Sequence, residues 1–99
     1  MSLPLSVVEL REEIDRIDDA IARLLAERFA VCVVIGDLKR LEGLTAADFS
    51  RERAVIERIT KMLGEIAPSE LTPQTAERVA RVLVHAGRSV VEERFGARG

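Results

Sequence analysis

The 99-residue chain contains no tryptophan and no tyrosine, and its only aromatic rings are Phe29, Phe49 and Phe95. Strand-rich domains draw on aromatic and β-branched residues; a core of Leu, Ile, Val and Ala beside abundant Glu and Arg favours helices instead. A single cysteine, Cys32, cannot close an internal disulfide, and with one histidine, His85, it cannot make a standard structural zinc site. No apolar run approaches the ~20 residues of a membrane span, so no membrane role is expected. The start Met1-Ser2-Leu3-Pro4 lacks the basic and apolar regions of a signal peptide, which together with the lone cysteine predicts a cytoplasmic protein. A net charge of −2 offers no global basic field for nucleic acid. What is present is enough for a fold. At 47% hydrophobic and 32% charged, the chain is too apolar for disorder. Its length suits one small domain over residues 1–99, with 1–5 and 95–99 expected to fray.

The apolar pattern is strongest at the start. Leu10, Ile14, Ile17, Ile21, Leu24, Arg28, Val31, Ile35 and Leu38 follow one another at spacings of four and three, the seam of a long packed helix. Ser6 followed by Glu9 is a capping-box start, Gly36 alone does not end a helix, and Gly43 is a better stop. The first helix is therefore expected over residues 6–41, about 50 Å long. A loop over 42–48 leads to a second helix from Asp48 or Ser50 to Leu63, with Phe49, Val55, Ile56, Ile59, Met62 and Leu63 inward. Gly64 to Leu71 reads as a loop. Thr72-Pro73 starts a third helix over 73–94, with Val79, Val82, Leu83, Ala86 and Val90 inward. The expected fold is all-α, three helices per chain, one very long. A compact domain of this size has a radius of gyration near 13 Å, so the first helix outruns its own chain. A homodimer with the long helices packed antiparallel is the simplest cover for its seam.

Some polar residues break the pattern. Arg28 stands in the seam, where its neighbours are apolar. Either its stem packs while its head reaches water, or its guanidinium faces an internal anion. Lys39 lies eleven residues on, three turns away at nearly the same azimuth, so both can face one cavity with Ile35 as apolar wall between them. Arg11, about 100° away in azimuth, cannot share that cavity from the same helix but can from a symmetry mate. Asp48, Arg51 and Glu52 share one face at the start of the second helix, where first-turn capping and dipole effects are the plain account. Cys32 reads as a small packed residue and His85 as a surface or satisfied histidine. No nucleophile–base pair is apparent, which argues against covalent or hydrolytic chemistry.

These blocks resemble the all-helical chorismate mutases of the AroQ class. The likeness runs from Leu10-Arg11-Glu12-Glu13-Ile14-Asp15-Arg16-Ile17-Asp18 through Leu24-Leu25-Ala26-Glu27-Arg28 and Ile35-Gly36-Asp37-Leu38-Lys39 to Asp48-Phe49-Ser50-Arg51-Glu52-Arg53. It is good over about residues 7–66 and weaker beyond. The resemblance implies an intertwined homodimer with two sites, each taking Arg28, Lys39, Asp48, Arg51 and Glu52 from one chain and Arg11 from the other. It implies the Claisen rearrangement of chorismate, a dicarboxylate, to prephenate, without cofactor or metal. Arg11 and Arg28 would hold the two carboxylates, Lys39 the ether oxygen, and Glu52 the ring C4 hydroxyl, while Asp48 and Arg51 order that end.

The third helix departs from the family. Its Ser and the Gln four residues later align with Gly87 and Val91, neither of which donates from its side chain. A one-residue slip would place Arg88 and Glu92 there instead, and a protonated Glu92 would then favour acid pH. The related readings are a 4-amino-4-deoxychorismate mutase, whose substrate amine suits Asp48 and Glu52, an isochorismate-pyruvate lyase, and a non-catalytic helical dimer that binds a dicarboxylate.

Overall fold

The structure, a computed structural model, describes residues 6–45 and 48–95. It has three helices, α1 (Val7–Leu41), α2 (Phe49–Ile66) and α3 (Pro73–Phe95), and no strand among the described residues. The all-α class and the three elements agree with the sequence pattern.

Each helix begins on a side-chain cap, because its first N–H groups have no partner within the helix. The Ser6 hydroxyl accepts from the Glu9 N–H at 3.1 Å, the Asp48 carboxylate from the Arg51 N–H at 3.0 Å, and the Thr72 hydroxyl from the Thr75 N–H at 3.2 Å. Gly36 passes inside α1 without ending it. The stop comes at Gly43, whose φ of 72° is left-handed. There the Leu44 N–H donates to the Lys39 carbonyl at 2.8 Å and the Gly43 N–H to the Arg40 carbonyl at 3.2 Å, the paired closure of a Schellman end.

Two boundaries differ from expectation. α2 runs through Gly64 to Ile66 rather than stopping at Leu63, since one glycine weakens a helix without breaking it. The limit is Pro68, which forces Ala67 into an extended conformation with ψ 166°. Phe95, expected to fray, is the last residue of α3. Its ring lies 5.0 Å from the Arg40 guanidinium and 5.4 Å from that of Arg94, and Arg94 meets Asp37 at 3.7 Å. Residues 1–5 and 96–99 lie outside the described residues.

α3 packs against both α2 and α1, while α1 and α2 make no packing contact among the described residues. The core is small: Val55 and Ile56 of α2 against Ala80 and Val84 of α3, with Ile59 beside them. The buried stripe of α3 is Ala76, Ala80, Val84 and Gly87. Val79 and Val82, expected inward, are exposed, as are Phe49 and Met62 of α2. Small residues carry the stripe because they let two backbones approach, so side-chain bulk misjudged the contact face.

The only buried residue of α1 is Gly36. Leu10, Ile14, Ile17, Ile21 and Leu24 are all at least 46% exposed within the single chain. The molecule measures 62 × 25 × 19 Å, with a radius of gyration of 17.5 Å against about 13 Å for a compact domain of this length.

Candidate active site

A cavity of about 210 Å³ opens where the three helices converge. α1 contributes Arg28, Cys32, Ile35, Gly36 and Lys39 to its wall. The first turns of α2 contribute Asp48, Arg51, Glu52 and Val55, and α3 contributes Val84, Gly87, Arg88, Val91 and Glu92. The helical repeat explains the α1 set: Arg28, Cys32, Ile35 and Lys39 are spaced four, three and four apart and so share one face.

Arg28 is half-buried and its guanidinium reaches toward α3. Nη1 lies 3.5 Å from the Leu83 carbonyl oxygen and 3.9 Å from the Cys32 sulfur. Those are long contacts, so most of the fork's donor capacity is left for an anion. Gly87 makes room for this placement. A Cβ there would stand 3.0 Å from Arg28 Nη1 and 3.2 Å from the Cys32 sulfur. Lys39 is half-buried on the same wall, with Ile35 between the two cations.

Glu52 is gripped by Arg88. The Arg88 Nε donates to Glu52 Oε2 at 2.9 Å, and Nη2 pairs with Oε1. The Glu52 side chain is 18% exposed. The Arg88 hydrogen bonds hold its carboxyl below the usual carboxylate range. Burial pushes the other way, the charges of Arg88 and His85 add to the lowering, and Asp48 opposes it. The Arg88 guanidinium also lies over the Phe49 ring, 5.0 Å from its centroid.

The structure thus brings together Arg28, Lys39, Ile35, Asp48, Arg51, Glu52, Gly87 and Val91. The two alternative readings of α3 do not exclude each other in space: Arg88 and Glu92 line the cavity beside Gly87 and Val91. Val91 is spent on packing, since a Cβ at Gly36 would fall 2.8 Å from its Cγ1. Arg11 is not at the cavity. It precedes Arg28 by seventeen residues, about 25 Å along the axis. The Glu52–Arg88 pair escaped sequence reasoning, because the partners are 36 positions apart on different helices and no local spacing signals them. Among the described residues no group of His, Cys, Asp and Glu is placed to hold a metal ion. No described helix is long and apolar enough to cross a membrane.

A half-enclosed cavity with two cations on one wall and a held carboxylate opposite can bind and orient a small dianion that also carries a hydroxyl. Comparison with known proteins points the same way. The family profile described as chorismate mutase type II matches residues 10–92. Among curated proteins, the bifunctional chorismate mutase/prephenate dehydratase of Aquifex aeolicus is 39% identical over 83 residues, covering 84% of this chain and 21% of that protein. A chorismate mutase of Methanocaldococcus jannaschii is 34% identical over 59 residues, 60% of each chain. This chain therefore spans a fifth of one relative and three-fifths of the other. No solved structure gives a significant match. The chain belongs to the type II chorismate mutase family.

Proposed function

We propose that the protein rearranges chorismate to prephenate at the α1–α2–α3 cavity. The observation that carries this is Arg28, a cation in an otherwise apolar seam, aimed with Lys39 into a pocket that faces Glu52. The reaction is unimolecular. It needs the flexible enolpyruvyl ether held in its compact reactive conformer and the charge growing on the ether oxygen stabilised. Arg28 binds one carboxylate through its fork, Lys39 donates to the ether oxygen, and Glu52 accepts from the ring C4 hydroxyl. Gly87 and Val91 bring no side-chain donor, so Lys39 carries the ether oxygen without help from those positions. Asp48 caps α2 and, with Arg51, orders the end of the site where Glu52 sits.

The second carboxylate requires Arg11, which one chain cannot deliver. A homodimer supplies it: the bare stripe from Leu10 to Leu24 is the surface a second copy would cover, and Arg11 lies on that segment of α1. Engagement of Glu52 by Arg88 favours chorismate over its 4-amino analogue, because a carboxylate already matched to a guanidinium has less to offer an ammonium.

Incubation with chorismate, followed by NMR of the product, tests the proposal. Prephenate is the expected product. Salicylate formed only from isochorismate, turnover confined to the 4-amino analogue, or binding without turnover would each overturn it.

A further inference from the structure

We propose that Arg88 is a positioning residue of this site, holding the Glu52 carboxylate from the α3 side as a charged, oriented acceptor. Three observations bear on it. The pairing uses both oxygens of one carboxylate and two nitrogens of one guanidinium, a fork that fixes the carboxylate plane as well as its place. The Glu52 side chain is largely shielded, with the cavity on one side and a second cleft lined by Phe49, His85 and Arg88 on the other, so the pair is not an ordinary solvated surface bridge. The guanidinium is held in its turn by the face of Phe49, three residues before Glu52 on the same helix.

A carboxylate has about four lone-pair sites. Arg88 occupies two, one on each oxygen, so acceptor capacity remains for a substrate hydroxyl. Without Arg88 the terminal torsion of Glu52 is free to turn, and its carboxyl loses the main interaction that keeps it ionised. The other charged groups around it do not replace that support. From α2, Asp48 opposes ionisation, and Arg51 lines the wall from the preceding position. From α3, the charge of His85 favours ionisation after that of Arg88, Glu92 lines the wall, and Arg81 is paired with Glu77. From α1, Arg28 and Lys39 stand across the cavity, in place for the substrate's own negative charge.

This assignment rests on the proposed mutase reading, and its test separates the two. The Glu52 side-chain carboxyl is titrated by ¹³C NMR, with E52Q identifying its resonance. pH profiles of chorismate rearrangement are measured in parallel for the wild type, R88A, R88K and a control, R81A, whose arginine pairs with Glu77 on the same exposed face of α3. In R88A the Glu52 midpoint should rise, and the acid limb of kcat/KM should rise with it. At neutral pH the loss should be on the order of tenfold and fall mainly on kcat, as expected for a displaced acceptor. R88K, which keeps the charge but not the fork, should recover part of both effects, and R81A should match the wild type. An unmoved Glu52 midpoint in R88A, or a moved midpoint with an unmoved acid limb, overturns the assignment. A wild type that rearranges no chorismate overturns the mutase reading and any catalytic role for the pair. The titration then decides separately whether Arg88 holds the carboxylate.

Discussion

Gly87 of α3 lies against the guanidinium of Arg28 of α1, so closely that a Cβ on residue 87 would come within 3.0 Å of Nη1. The absence of a side chain at residue 87 leaves the space in which the seam arginine rests. Gly87→Ala should therefore separate stability from function. Alanine in a helix interior gains about 1 kcal/mol over glycine, while the new methyl shifts the mobile end of Arg28 by a few tenths of an ångström. The expected result is an unchanged or raised Tm with kcat/KM lowered by roughly tenfold. A fall in Tm without loss of rate would contradict this placement of Arg28.

Gly36→Ala should behave in the opposite way. Its Cβ would meet Val91 Cγ1 at 2.8 Å and the Phe95 ring at 3.0 Å. Val91 is β-branched and stiff, so α1 and α3 must part. A net loss of about 1–2 kcal/mol in urea unfolding is expected after the helix-propensity gain is deducted. Adding Val91→Ala should remove the clash and leave a smaller loss than the two single changes summed.

Arg28→Ala and Lys39→Ala should each lower kcat/KM by at least a hundredfold, while circular dichroism reports an intact helical fold. The polar contacts of Arg28, to the Leu83 carbonyl and Cys32, are both long, so its removal leaves no buried polar partner stranded. Near-normal rates in either variant would sink the assignment of the anion-binding wall.

If Arg11 is donated between chains, two inactive variants should rescue one another. Mixing Arg11→Ala with Arg28→Ala in equal amounts under exchange conditions gives mixed dimers with one intact site each. Recovered activity should approach about a quarter of wild type, the share of sites that then hold both arginines. Failure to recover any activity, with mixed dimers demonstrated by mass, would place Arg11 outside the site.

The Glu52–Arg88 pair also predicts a pH-dependent stability. Glu52 binds its proton less tightly folded than unfolded, so its contribution is present above the ordinary carboxylate range and is lost as pH falls through the lowered folded value. The Tm difference between wild type and Arg88→Ala should accordingly be largest near neutrality and shrink toward acid. A difference that stays constant with pH would mean that Arg88 stabilises by packing alone.

Much of the molecule was legible without coordinates, because helix formation and capping are local. The heptad spacing on α1, the caps at Ser6, Asp48 and Thr72, and the stop at Gly43 are written in neighbouring residues. So is the shared face of Arg28 and Lys39, since azimuth on a helix follows from counting. The misjudged parts depend on contact between distant segments. Val79 and Val82 have the bulk of core residues, yet α3 turns Ala76, Ala80 and Gly87 to its neighbours, because close approach selects small side chains. Phe95 looked like a frayed tail until the ends of α1 and α3 met around it. Spacing brought Arg88 into the site only through a one-residue slip of α3, and its pairing with Glu52 emerged only when α3 was laid beside α2. Short-range geometry was enough to decide which segments are helical and which cations share a face. Which face is buried, and which carboxylate is held, waited on the packing of three helices, because those pairings join residues that no local periodicity connects.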